Sequence, residues 1–192
     1  MSAELGLLLL TGGQGRRLGG PKHDRPHPEG GSWGGHLVGV FHAVSPQGPV
    51  QLLGAPLPDR PFLPCLEDPR EGPAVALRAW ASGAGPQAAR RWWVLACDLP
   101  RWRAEDLEGW WSRVRAADPT GGAWVVAEVA GRLQPLGGFL PAALAEVLAA
   151  QSETRLRDLL EVLPHRILTE SGDCWRDVDD SEALVDFQRG AL

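Results

Sequence analysis

The 192-residue sequence contains no tyrosine, one methionine, three cysteines and a single lysine. The cysteines, Cys65, Cys97 and Cys174, form no CxxC pair, so we expect reduced thiols and neither a disulfide framework nor a four-ligand zinc site. The longest apolar run, residues 7–10, is far shorter than the roughly 20 residues of a membrane span. The first residues also lack the basic start of a signal peptide. We therefore expect a cytoplasmic protein with no membrane partner.

The balance of charge disfavours a second class of partner. The chain has 24 acidic and 19 basic residues, and its net charge of -5 gives no general attraction to nucleic acid. Eighteen of the basic residues are arginine, and Lys22 is the remaining one. Two interpretations of this lysine stay open, a functional cation or chance retention in a surface loop.

Segments of strand and helix character alternate along the chain. Buried apolar runs predict strands at residues 4–10, 50–53, 62–66, 91–97 and 123–129. Helical spacing and capping residues predict helices at 33–44, 73–82, 105–116, 141–150 and 155–163, and a last helix that begins at Asp180 or Ser181. Between the first strand and first helix, glycine, proline and histidine predict an extended loop. This order predicts one α/β domain over residues 1–192 with a mainly parallel sheet.

The loop after the first strand, TGGQGRRLGGPK, has the composition of a phosphate-binding loop. Its glycines allow backbone N–H groups to approach a phosphate, and Arg16, Arg17 and Lys22 add cationic donors. A Walker A loop is excluded because Pro21 precedes the lysine and His23 follows it. The glycine spacing is one residue too long for a dinucleotide-binding loop. A glycine-rich turn with incidental arginines is the remaining alternative.

Two acidic segments can supply metal ligands. Asp98 directly follows a predicted buried strand, so it is either a ligand for a divalent cation or the cap of the next helix. The segment 177–180, Asp-Val-Asp-Asp, can lend a second ligand or can serve only as a strand end and helix cap. The five histidines show no spacing suited to a metal, and His27 is predicted to lie in a flexible segment.

Together these motifs resemble the molybdenum cofactor guanylyltransferases, within the nucleotidyltransferases of Rossmann-like fold. The glycine loop is similar to the family's LxGGxxxRMGxxK motif, and LACDLP to its CDxP motif. Further matches follow in the family's order: LEDPREGPAVAL, LQPLGGFLP (a strand in the family), TRLRDLL and DVDDSEAL. The resemblance spans nearly the whole chain. It implies a three-layer nucleotide-diphospho-sugar transferase fold.

The resemblance also implies a reaction and its residues. A phosphate of molybdopterin would attack the α-phosphorus of GTP, and pyrophosphate would leave, with Mg²⁺ as cofactor. Arg16, Lys22 and the loop amides would stabilise the triphosphate, Asp68 would bind the nucleoside, and Asp98 would bind Mg²⁺ as a catalytic residue. The nucleotide-binding loop residues would be Leu10, Thr11, Gly12, Gly13 and Gly15. The Gly12-Gly13 pair favours GTP over CTP, and other proteins of molybdenum cofactor synthesis would be partners.

The sequence departs from the family pattern at four places. Residues 23–29 replace the apolar strand that usually follows the lysine, and Leu53 or Gly54 stands where an asparagine is expected. Asp179-Asp180 replaces Asn-Thr, and Gly137-Gly138 replaces bulkier residues. Two alternatives therefore stay open: cytidylyl or sugar-phosphate nucleotidyl transfer on the same fold, and a nucleotide-binding relative without catalytic activity.

Overall fold

The computed structural model describes residues 3–13 and 15–190, so Met1, Ser2, Gln14, Ala191 and Leu192 lie outside the described residues. Its strands are β1 (Ala3–Leu10), β2 (Val50–Leu53), β3 (Cys65–Leu66), β4 (Ala89–Ala96), β5 (Trp124–Val129), β6 (Arg132–Pro141) and β7 (His165–Glu170). Its α-helices are α1 (Trp33–Val44), α2 (Pro73–Ala81), α3 (Ala104–Ala117), α4 (Ala145–Ala149), α5 (Leu156–Val162) and α6 (Ser181–Gly190). Across the described ranges, no helix has both the length and the apolar character needed to cross a membrane.

In this part of the chain the seven strands form one sheet, in the order β3-β2-β1-β4-β6-β5-β7. Strand β6 runs antiparallel to β4 and β5, and the other pairs are parallel. Leu10 at the end of β1 is in register with Leu53 of β2 and Ala96 of β4. The predicted α/β fold with a mainly parallel sheet is thus confirmed, and the carboxyl ends of β1, β2 and β4 share one edge.

Helices cover both faces of the sheet because its central strands are apolar on both sides. Leu7 and Leu9 of β1 pack with residues of α1 and α3, whereas Leu8 packs with residues of α2, α4 and α5 on the opposite face. Tryptophans fill much of both layers. Trp93 and Trp110 belong to the first, and their indole N–H groups both donate to the carbonyl of Gly137. Partnered indoles can be buried fully at little cost.

The structure corrects several predicted boundaries. The strand predicted at residues 62–66 is restricted to β3, because the chain turns at Leu63, whose amide donates to Arg60, and Phe62 projects into solvent with 97% of its surface exposed. The helix predicted at 141–150 begins only after β6 and a 3-10 turn, so α4 has five residues. Strand β6 was expected only from the resemblance. Strand β7 was not predicted, since this edge strand is largely exposed and has no clear apolar alternation.

The segment that follows Lys22 is well connected rather than an extended loop. Backbone hydrogen bonds join Trp33 to Arg25 and His27 to Gly31. Ser32 caps α1 by accepting from the amide of Gly35, and its hydroxyl donates to Asp59. The prediction that His27 lies in a flexible segment is wrong. This side chain is buried, and its ring packs against those of His36 in α1 and Phe187 in α6.

Candidate active site

A cavity of about 550 Å³ opens at the carboxyl edge of β1 and β4. Parallel α/β sheets bind ligands at this edge, where the connecting loops diverge. The cavity brings together every residue to which the resemblance gave a role in nucleotide binding or catalysis, whereas Arg17 is not among the residues that line it. These residues are Leu10, Thr11, Gly12, Gly13, Gly15, Arg16, Lys22, Asp68 and Asp98. Their individual roles stay predictions.

The start of the glycine loop is tightly packed against the chain after β2 and β3. A Cβ atom on Gly12 would lie 1.8 Å from Oδ2 of Asp68, so a larger residue here would require the Asp68 side chain to move. A Cβ atom on Gly54 would lie 2.2 Å from the amide nitrogen of Gly12, and Gly54 has a φ of 134°. The asparagine that the resemblance led us to expect in this region is therefore incompatible with position 54.

Thr11 holds this arrangement in place. Its hydroxyl donates to the carbonyl of Ala55 and accepts from the amide of Ala55, both at 2.8 Å. The Thr11 side chain is almost fully buried and its hydroxyl has both roles satisfied, while the Thr11 amide donates to the carbonyl of Leu53 at 2.9 Å. Farther along the loop, the carbonyl of Gly15 accepts from the amides of Leu18 and Gly20 and closes the turn.

Lys22 lies at the centre of a cluster of carboxylates. Its Nζ donates to Oδ1 of Asp179 and lies 3.7 Å from Oδ2 of Asp98. Only 16% of the lysine side chain is exposed. A mostly buried cation between carboxylates is not the environment of an incidental surface lysine, while the functional role of Lys22 stays a prediction.

The C-terminal acidic segment reaches this cluster through a backbone contact. The amide of Val178 donates to the carbonyl of Asp98 at 2.8 Å, and the Val178 side chain is fully buried with Trp33 and Phe187. Asp177 and Asp179, on either side of Val178, both act electrostatically on Asp98. Asp180 instead caps α6, because its carboxylate accepts from the amide of Ala183. Both interpretations of this segment therefore apply, because Asp177 and Asp179 act on Asp98 while Asp180 caps a helix.

The three carboxylates perturb one another's protonation. Burial raises the pKa of Asp98; Lys22 opposes the rise, and the charges of Asp179 and Asp177 add to it. Burial and the adjacent Asp179 likewise raise the pKa of Asp177. The hydrogen bond from Lys22 lowers the pKa of Asp179. Three carboxylates around one ammonium group form a donor set with excess negative charge, which is the chemistry that Mg²⁺ prefers.

Residues 7–168 match the family model described as the MobA-like NTP transferase domain. The chain belongs to this family. It is therefore a nucleotidyltransferase by family membership. Among curated proteins, it is 30% identical over 165 residues to a probable molybdenum cofactor guanylyltransferase of Rhodopirellula baltica, a match that covers 81% of this chain and 77% of the relative.

Solved structures of nucleotidyltransferases share the fold. Molybdopterin-guanine dinucleotide biosynthesis protein A of Archaeoglobus fulgidus superposes with a TM-score of 0.71 at 16% identity, covering 95% of this chain and 96% of that one. The 2-C-methyl-D-erythritol 4-phosphate cytidylyltransferase of Thermus thermophilus superposes with a TM-score of 0.65 at 17% identity, covering 98% of each chain. At these identities the likeness establishes the fold, which agrees with the predicted nucleotide-diphospho-sugar transferase architecture.

The cavity of this family member also contains residues that the sequence analysis did not assign to the site. His23, Arg70 and Leu136 line it. Arg70 follows Asp68 by two residues, and its amide donates to the Asp68 carboxylate, so proximity to Asp68 was the available signal. Burial lowers the pKa of His23, which is next to Lys22 in sequence. The histidine spacing in the sequence gave no sign that the fold brings His27 and His36 close to Glu29.

Proposed function

We propose that this chain is a molybdenum cofactor guanylyltransferase that transfers GMP from GTP to molybdopterin and releases pyrophosphate. The observation that carries the proposal is the convergence of Lys22, Asp98 and Asp179 at the mouth of the glycine loop. The name of the Rhodopirellula relative supports the choice of guanylyl transfer to the molybdenum cofactor. We further propose that residues 1–192 act as a single nucleotidyltransferase domain.

Both reactants are anions, so the main catalytic tasks are to neutralise charge and to align the reacting groups. An oxygen of the molybdopterin phosphate forms a bond to the α-phosphorus, and the bond between the α-phosphorus and its bridging oxygen to the β-phosphorus breaks. The loop backbone and Arg16 line one side of the cavity, where they would contact the triphosphate. Lys22 can exchange its carboxylate partners for phosphate oxygens, because it is held by ion pairs rather than by packing alone.

Asp98, with Asp179 and Asp177 beside it, would hold Mg²⁺. When bound, this ion would neutralise phosphate charge and act as a Lewis acid on the reacting phosphate. Burial and then the neighbouring carboxylates raise the pKa values of Asp98 and Asp177, and the charge of Lys22 offsets this rise only in part. Such a donor set fits a divalent cation.

The test measures nucleotide binding and pyrophosphate release with GTP and with CTP, each with and without Mg²⁺. We expect Mg²⁺-dependent binding of GTP, and release of pyrophosphate once molybdopterin is added. Lys22→Ala and Asp98→Ala should each lower turnover by about 100-fold to 1000-fold, because each removes a group that stabilises developing charge. Glu161→Gln, which changes an exposed acid on α5 outside the cavity, is the matched control and should keep full activity.

Three results would contradict the proposal. Turnover with CTP but not GTP would favour a cytidylyltransferase on the same site. Binding of GTP without pyrophosphate release would favour a relative without catalytic activity. Unchanged turnover in Lys22→Ala would remove the assigned role of the lysine.

A further inference from the structure

A second group of metal-ligating side chains lies outside the active-site cavity, in the segment that follows Lys22. His27, Glu29 and His36 each offer one ligand atom, and these atoms all lie within 4.8 Å of one another. Glu29 belongs to a turn closed by the amide of Gly30, which donates to the carbonyl of His27. His36 lies in the first turn of α1. The three ligands are therefore attached to ordered backbone.

The hydrogen bonds of the two imidazoles define which nitrogen is available to an ion. Nε2 of His27 lies 3.1 Å from the carbonyl oxygen of Pro100, and Nε2 of His36 lies 2.9 Å from that of Trp102. A carbonyl can only accept, so each Nε2 carries the hydrogen and each Nδ1 keeps its lone pair. A backbone carbonyl that fixes the far nitrogen is the usual support of a metal-binding histidine.

Glu29 completes the group from the solvent side. Its Oε2 lies 3.6 Å from Nδ1 of His36, and its own amide donates to Nδ1 of His27 at 3.1 Å. More than half of the Glu29 side chain is exposed, whereas both imidazoles are mostly buried. A cation can therefore reach the two nitrogens past the carboxylate without unfolding α1.

We propose that His27, Glu29 and His36 form a binding site for a divalent transition-metal ion, with zinc as the expected occupant. Two imidazole nitrogens and one carboxylate oxygen suit zinc, whereas magnesium prefers an all-oxygen set such as the acids around Asp98. The site is separate from the active-site cavity and does not depend on which nucleotide that cavity binds.

Occupation of the site requires a local rearrangement. The two imidazole rings are stacked, with centroids 3.6 Å apart and planes 9° apart, so their in-plane lone pairs lie in two nearly parallel planes. The rings must tilt toward a shared ion, and the amide of Glu29 must release Nδ1 of His27. The bound ion would hold the segment 27–36 together, and both histidines also contact residues 100–102. Metal binding would thereby fix Lys22 and Asp98 through the two segments that follow them.

The full chain is first stripped of metal and then kept in excess Mg²⁺. Zn²⁺ is titrated into it in competition with a chromophoric chelator. Co²⁺ is titrated in parallel, because its visible absorption reports nitrogen ligation without an activity assay. The variants are Glu29→Gln and His36→Gln. The controls are His42→Gln, which changes another histidine of α1 outside the cluster, and Asp98→Asn, which removes the active-site acid.

We expect one zinc ion per chain, with affinity reduced at least about tenfold in Glu29→Gln and His36→Gln and unchanged in both controls. The melting temperature of the wild type should rise with added zinc, because the ion binds the folded state. Absence of zinc binding to the wild type would overturn the proposal. Equal zinc affinity in Glu29→Gln and the wild type would also overturn the proposal. Because Glu29 is exposed, this variant provides the test if His36→Gln fails to fold. Loss only in Asp98→Asn would assign the zinc to the active-site acids instead.

Discussion

The two ends of β4 carry charged side chains in contrasting environments. Near its start, Arg91 pairs with Asp118 at 3.1 Å, and both side chains are less than a tenth exposed. Just beyond its end, Asp98 shares Lys22 with Asp179, and about a third of the Asp98 side chain is exposed. One strand thus connects a closed ion pair to an open, partly compensated cluster.

At the amino end every oxygen of the acid is used. The Asp118 carboxylate accepts from Arg91, from the hydroxyl of Thr120 and from the amides of Gly122 and Ala123. Burial alone would raise the pKa of Asp118, but the hydrogen bond from Ala123, the charge of Arg91 and the other hydrogen bonds together lower it. At the carboxyl end burial prevails and raises the pKa of Asp98. The Asp118 carboxylate is thus fully hydrogen-bonded and would be costly to remove, whereas the partly compensated carboxylates around Asp98 are available to a ligand.

The largest effect should follow from breaking the amino-end pair. Asp118→Asn leaves Arg91 buried without a counter-charge and presents an amide donor to other donors. We expect the free energy of unfolding to fall by about 3 to 5 kcal/mol, measured by chemical denaturation. The folded fraction should keep the nucleotide affinity of the wild type, since Asp118 lies at the opposite edge of the sheet from the candidate active site. A fall well below 1 kcal/mol would contradict the view that this pair is a stabilising element.

The pH dependence of the stability difference between the wild type and Asp118→Asn tests whether the charge of Asp118 causes it. Because the folded state lowers the pKa of Asp118 from its ordinary 3.8, its contribution to stability is present above that value and is lost as the pH falls below it. The stability difference between the wild type and Asp118→Asn should therefore shrink in acid. A constant difference down to the lowest accessible pH would point to lost packing instead.

A smaller effect of opposite sign is expected at the carboxyl end. Asp98→Asn removes a carboxylate whose pKa the fold raises, so the ionised form is disfavoured in the native state. In metal-free buffer at neutral pH, the variant should be as stable as the wild type or more stable, while nucleotidyl transfer is lost. Because a raised pKa gives a stability contribution that is lost as pH rises, the wild type should gain on the variant when the pH is lowered. Clear destabilisation at neutral pH would show that Asp98 supports the fold.

The smallest effect should come from an exposed pair. Arg176 donates to Asp173 at 3.1 Å and to Asp186 at 3.0 Å, and all three side chains are more than half exposed. Solvent and salt screen such pairs, so Arg176→Gln should leave the unfolding midpoint unchanged in thermal denaturation. A loss of stability comparable with that of Asp118→Asn would mean that solvent exposure does not distinguish this ion pair from the buried pair of Arg91 and Asp118.

The sequence predicted the parts of the molecule that depend on local pattern. Strand β1, helix α1 and the position of Asp98 after β4 follow from apolar runs, periodicity and capping, all of which act over a few residues. The resemblance supplied Asp68 and the strand β6. Contacts set by docking of distant segments were beyond such reasoning, as with His27 and His36, which meet only because α1 folds back over the turn at Glu29.

The acidic segment near the C-terminus shows the same limit. Its alternation of acid and apolar residues is compatible with a cap alone, and the contact between Val178 and Asp98 joins positions 80 residues apart in the chain. No local pattern encodes that contact. Edge strand β7 was not predicted for a related reason. It is largely exposed to solvent, and its polar residues obscure the apolar alternation that marks a strand.

The bond between Val178 and Asp98 also has a consequence for the order of events during synthesis. Lys22 and Asp98 are synthesised before residues 177–190. The strands that precede them, β1 and β4, can therefore pair before those residues are present. Asp177 and Asp179 join them only when the final helix has docked Val178 beside Trp33. A nascent chain would therefore hold the glycine loop but not the full set of carboxylates. Under the proposed function, the carboxylates that would hold Mg²⁺ would come together only in this later step.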